Sequence, residues 1–132
     1  MKIVISSKKG KAFLADLPKE RERVLYGMKI GNVFEGAMLG AAGYKFRISG
    51  GSDRDGFPMR ADLPGIGKTK LLLSGRPGFR PTRRGERQRK MVRGNIISEW
   101  IAQLNVVPTE EGPTPLDEIF KKAEGEKKEE KK

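Results

Sequence analysis

The opening of the chain places Ile3-Val4-Ile5 between Lys2 and Ser6, a short apolar run that reads as a first strand over residues 2–6. Ser7-Lys8-Lys9-Gly10 then has the composition of a turn, and residues 11–17 return as its hairpin partner. Pro18 is suited to the first position of a helix. Residues 19–26 form the body of that helix and Gly27 is its stop. Residues 30–38 form a weaker strand, interrupted by Gly31 and Gly36. Tyr44-Lys45-Phe46-Arg47-Ile48 alternates apolar and basic positions, which predicts a half-buried strand with Lys45 and Arg47 on its outer face. Residues 50–56 read as a loop and residues 70–74 as a short apolar strand. Residues 91–97 and 101–107 read as the last two strands, although residues 98–104 also fit a helical turn by periodicity.

Thr114-Pro115-Leu116-Asp117-Glu118 looks like a helix start, with threonine at the cap, proline in the first turn and acids near the N-terminal end. Leu116, Ile119 and Phe120 would form its apolar edge. The expected fold is mainly β: a small barrel-like sheet of about six short strands with one short helix, followed by a C-terminal helical turn and a charged tail. The expected organisation is a domain over residues 1–108 with a basic loop at 76–93, a short helical region at 109–123, and a disordered charged tail at 124–132.

Composition sharpens this picture. Seventeen glycines and eight prolines favour short strands and tight turns over long helices. With no cysteine, disulfides and thiolate metal sites are excluded. With no histidine, the commonest general base and metal ligand is missing too. No nucleophile can be paired with a base, so no catalytic site, metal or cofactor is expected. No apolar run approaches the roughly 18 residues of a membrane span, and the N-terminus reads as a strand rather than a targeting segment.

The formal net charge is +11, with a pI near 10.1, which points to a polyanionic partner. The charge is concentrated. Residues 76–93 hold eight basic side chains and one acid, Glu86, and seven of the eight are arginine. Guanidinium forks match phosphate oxygens in pairs and stack on bases, which lysine does poorly. A charge run is ordinarily a solvated face. Here the excess of cations repels itself, Pro77, Gly78, Pro81, Gly85 and Gly94 prevent a simple helix, and Phe79 stands among the arginines to stack on a base or to anchor the loop.

Two weaker motifs have plain explanations. Gly65-Ile66-Gly67-Lys68-Thr69 echoes the end of a phosphate-binding loop, but Asp62 stands where its first glycine belongs. It reads better as a turn ahead of a strand. Asp53-Arg54-Asp55-Gly56 echoes a calcium loop, yet the glycine comes too early and Pro64 takes the place of the closing glutamate. Turn chemistry accounts for it.

Three stretches together resemble the S6e family of small-subunit ribosomal proteins of archaea and eukaryotes. They are Gly50-Gly51-Ser52-Asp53-Arg54-Asp55-Gly56-Phe57-Pro58-Met59, then Leu71-Leu72-Leu73-Ser74, then the basic block from Arg80 to Gly94. The resemblance runs from Met1 to about Val107. It implies a β-barrel-like domain bound to small-subunit ribosomal RNA, with the block from Arg80 to Arg93 against the RNA, in a cytoplasmic ribosome. Eukaryotic members carry a long basic extension with phosphorylation sites. This chain stops at Lys132 without it, so that regulation is not expected, and the short form is similar to archaeal members. At residues 66–70 the chain has Ile-Gly-Lys-Thr-Lys where the family is more arginine-rich.

The expected RNA contacts are Lys45 and Arg47 on the strand face, Arg54 and Arg60 around the glycine–aspartate loop, and Lys68 and Lys70 ahead of the next strand. The basic segment adds Arg76, Phe79, Arg80, Arg83, Arg84, Arg87, Arg89, Lys90 and Arg93. Expected partners are small-subunit ribosomal RNA and neighbouring small-subunit ribosomal proteins, with one copy per ribosome and no membrane. The rival reading is a non-ribosomal nucleic-acid-binding protein.

Overall fold

The computed structural model describes residues 1–120. Seven strands follow one another as β1 (Lys2–Ser6), β2 (Ala12–Asp16), β3 (Val33–Glu35), β4 (Lys45–Asp53), β5 (Lys68–Leu73), β6 (Gln88–Arg93) and β7 (Ile101–Glu110). One helix, α1 (Lys19–Leu25), follows β2, and a 3₁₀ turn spans Gly36–Leu39. Residues 116–120 are helical, as the Thr114-Pro115 signal predicts. The charged tail expected at 124–132 lies outside the described residues.

Five strands form one sheet in the order β2-β1-β7-β4-β3. β7, made last, sits in the middle: parallel to β1 on one side and antiparallel to β4 on the other. The mainly-β expectation holds, but the sheet is open, with β2 and β3 as free edges, and not closed into a barrel. The reason lies in β5 and β6, which pair with each other as a separate two-stranded ribbon and meet the main sheet through isolated bridges at Pro58 and Met59. That leaves the main sheet without the strands a closed barrel needs.

Alternation sets the core. Ile3 and Ile5 of β1, Phe46 and Ile48 of β4, and Leu104 and Val106 of β7 are all fully buried on one face of the sheet. Leu25 of α1 closes over the same core. Tyr44 stacks on Phe46 at 5.8 Å, and its hydroxyl donates to the Thr114 carbonyl at 2.6 Å. Phe120 stacks on Phe13 at 5.7 Å, so the C-terminal helical turn packs on the main core through the edge expected of it.

Three elements differ from the sequence reading, each for a physical reason. The strand expected at 30–38 shrinks to Val33–Glu35, because Gly36 turns the chain inward. A Cβ there would lie 2.5 Å from the Ala41 carbonyl oxygen and 2.8 Å from the Phe46 ring. The loop expected at 50–56 begins only after Asp53. β4 runs through Gly50 and Gly51 by means of register shifts between Ile48 and Gly50 and between Ser52 and Asp53. The strand expected at 91–97 lies earlier, at Gln88–Arg93. Residues beyond it dock on the segment after α1, with Ile97 N–H donating to Met28 at 2.8 Å and Ile30 N–H to Asn95 at 3.0 Å.

Candidate nucleic-acid interface

The ribbon is joined to the sheet by a short rung, Pro58-Met59-Arg60. Met59 N–H donates to the Gly51 carbonyl of β4 at 2.9 Å. On the other side Arg93 N–H donates to Pro58 at 2.9 Å and Arg60 N–H to Arg93 at 3.0 Å. Beside this rung lies a buried ion pair. Arg93 Nε donates to Asp53 Oδ2 at 2.8 Å, with the two residues only 4% and 3% exposed. The other Asp53 oxygen accepts from the backbone N–H groups of Asp55, at 3.0 Å, and Phe57, at 2.9 Å. Burial pushes the Asp53 pKa up, but the Phe57 N–H and the Arg93 guanidinium outweigh it and hold the carboxyl below its ordinary range. The calcium-like motif is thus a turn locked by its first aspartate.

Gly65-Ile66-Gly67 leads into β5 and not into a helix, as the turn reading requires. Arg93 Nη1 reaches back to the Ile66 carbonyl at 3.1 Å, and Gly94 N–H donates to Gly67 at 3.2 Å. Arg93 therefore points inward and is removed from the expected contact set. It belongs to the joint.

Phe79 is corrected in the same way. It is 8% exposed and packs with Leu73 and Val92 in a second small core beneath the ribbon. Of the two roles open to it, the structure assigns it the anchor. The loop it fixes is folded on itself: the Glu86 carboxylate accepts from Thr82 N–H at 2.7 Å, Thr82 Oγ1 at 2.9 Å and Arg83 N–H at 3.3 Å. The Thr82 bonds and the Arg83 N–H lower the Glu86 pKa. The lone acid of the basic block is its clasp.

The pairing register sorts the ribbon's side chains, because residues directly opposite share a face. Lys68 faces Arg93, Lys70 faces Met91 and Leu72 faces Arg89 on one side. Thr69 with Val92, Leu71 with Lys90 and Leu73 with Gln88 lie on the other, over the small core. The outward face thus presents exposed Lys68, Lys70 and Arg89 around exposed Leu72, while Lys90, on the inner side, is half-buried.

Four of the expected cations form ion pairs. Lys45 pairs with Glu110 and Lys68 with Asp55, both partly exposed. Arg60 grips Asp62 with two bonds of 2.8 Å and also donates to the Pro77 carbonyl at 2.9 Å, tying the rung to the loop base. Arg93 is the fourth. Arg47, Arg54, Lys70, Arg76, Arg80, Arg83, Arg84, Arg87, Arg89 and Lys90 have no carboxylate partner among the described residues. Lys45 and Arg47 lie on the outward face of β4 and not on the ribbon. A cleft of about 480 Å³ runs between Ser49 of that face, Arg60 and Pro77 at the loop base.

Alternation gave no reason to single out Trp100, which sits in the turn before β7. It is 49% exposed, with the Arg54 guanidinium 5.7 Å from its ring centre. Only its being the sole tryptophan marked it.

The structure is that of a small, mainly-β protein carrying a basic two-stranded ribbon and loop on an open sheet. The chain belongs to the ribosomal protein S6e family, whose model matches residues 1–121. It is similar to the small ribosomal subunit protein eS6 of Methanothermobacter thermautotrophicus, 45% identical over 90% of this chain and 94% of the relative. The proteins of the same name from Methanosphaera stadtmanae and Archaeoglobus fulgidus are 44% and 46% identical, over 96% and 93% of this chain and 97% of each relative. S6e proteins are structural constituents of the small ribosomal subunit, so the chain is a component of the cytoplasmic ribosome and not an enzyme.

Proposed function

We propose that the chain holds small-subunit ribosomal RNA against a cationic surface built from the Glu86-clasped loop and the outward face of β5 and β6, extended by Arg47, Arg54 and the ion-paired Lys45, Arg60 and Lys68. Arg93 and Phe79 position that surface from below. The observation that carries this reading is the set of ten cations without carboxylate partners among the described residues, half of them on a loop anchored by a buried phenylalanine. Uncompensated charge on a fixed support repels itself unless an anion covers it. Phosphates brought together by RNA folding supply that anion, and contact releases their condensed counterions. Recognition is of backbone and shape, with few base contacts. Neighbouring small-subunit proteins complete the surroundings, and one copy acts per subunit.

With about six to eight phosphates contacted, log affinity for ribosomal RNA is expected to fall with log salt at a slope of roughly −4 to −7. Neutralising Arg83, Arg84, Arg87 and Arg89 together to glutamine is expected to make that slope shallower by about three. Filter binding across a salt series reads this directly. An unchanged slope would remove the loop from the interface.

A further inference from the structure

We propose that the cleft beside Trp100 is a nucleobase site, in which an unpaired base of the RNA stacks on the indole while its phosphate meets Arg54 and Lys68. The inference rests on the RNA-binding reading and adds a second mode of contact to it.

The cleft is lined by Arg54, Asp55, Lys68, Arg93 and Trp100 and has a volume of about 380 Å³, within the roughly 300–1,000 Å³ range of small-molecule sites. Its floor is rigid. The Asp53–Arg93 pair lies beneath it, and Arg54 N–H donates to the Trp100 carbonyl at 3.0 Å, fixing the two walls together. Half of the indole is open, and its N–H has no protein acceptor among the described residues. A large aromatic side chain left exposed on a fixed turn is costly to keep in water, and it carries a polar handle for a partner.

Charge decides the partner's chemistry. Arg54 has no carboxylate partner among the described residues, and its guanidinium already sits over the ring at 5.7 Å from its centre, within cation–π range. The one acid of the lining, Asp55, is neutralised by Lys68. Lys68 also opens the row that continues along the ribbon through Lys70 and Arg89. An RNA backbone following that row arrives at Trp100. Unpaired bases splayed from RNA stack on such aromatic and guanidinium planes, and stacking tolerates any base because each has a π face.

The chain has one tryptophan, so its emission reports this cleft alone. Full-length protein titrated with an unstructured oligoadenylate should show saturable quenching. Inorganic polyphosphate of matched charge should bind without quenching. Trp100→Ala is expected to weaken oligoadenylate binding about ten-fold and to leave polyphosphate binding unchanged, while Trp100→Phe keeps most of the affinity. Equal quenching by polyphosphate would overturn the proposal. So would normal, salt-dependent oligoadenylate binding with no change in emission, although the loop interface would then stand. Failure to bind any RNA would remove both. In assembled subunits, a photo-reactive benzoylphenylalanine placed at position 100 should cross-link to ribosomal RNA. Cross-links to a neighbouring protein alone would make this a protein-docking cleft instead.

Discussion

At the residue scale the decisive group is Asp53. Its carboxylate is, among the described residues, the only counter-charge to a guanidinium almost out of contact with water. Asp53→Ala would leave Arg93 buried with one backbone carbonyl, and a cost of about 3–5 kcal/mol is expected in urea denaturation. The same group sets a pH dependence. Its folded pKa lies below its unfolded value, so the folded state holds fewer protons and the contribution is complete above an unfolded pKa of about 4. Stability should fall as pH drops below that value and through the lower folded pKa, and Asp53→Asn should flatten this acid limb. In the sequence Arg93 and Arg89 look alike, four residues apart in one basic block. The register with β5 puts both on the same face of the ribbon, and only the return of Asp53, forty residues upstream, buries Arg93 and leaves Arg89 out. The concentration of arginine was legible, but which arginine serves the fold was not, because that depends on a long-range partner.

At the element scale, glycine lets β4 continue beside β7 as far as Asp53. A Cβ on Gly51 would stand 2.5 Å from the Gln103 carbonyl oxygen of β7, whereas one on Gly50 would meet nothing within 4 Å. Gly51→Ala should therefore destabilise by about 2–3 kcal/mol and Gly50→Ala by no more than about 0.5 kcal/mol, as thermal melting of the two variants would show. Two adjacent glycines ahead of an Asp-Arg-Asp-Gly sequence read naturally as a loop. Their use here is to let two backbones approach and to bulge the strand. Elements defined by local signals were legible from the chain alone: the first hairpin, the helix between Pro18 and Gly27, and the turn at residues 116–120. Those that depend on pairing, such as the short β3 and the early β6, were not, since no residue of either announces its neighbour.

At the scale of the whole molecule, the strand order governs what can stand alone. β7 is bonded to both β1 and β4, which have no other bond to each other. A chain ending before Ile101 would lose the shared neighbour of both halves. It is expected to give no cooperative melting transition by circular dichroism and to be digested by protease under conditions where the full chain survives. The basic ribbon stands apart from the open sheet. Its strands take no part in closing the scaffold and reach it through the Pro58–Arg60 rung and the Asp53–Arg93 and Lys68–Asp55 pairs.

Biosynthesis adds a consequence of its own. A nascent chain leaves the exit tunnel from its N-terminus, and native pairing must wait until both partners have emerged. Residues 68–93 therefore meet the cytosol ahead of the strand that completes their support. For a few seconds of each synthesis cycle, at roughly 5–20 residues per second, the arginines are outside while the middle of the sheet is still being made.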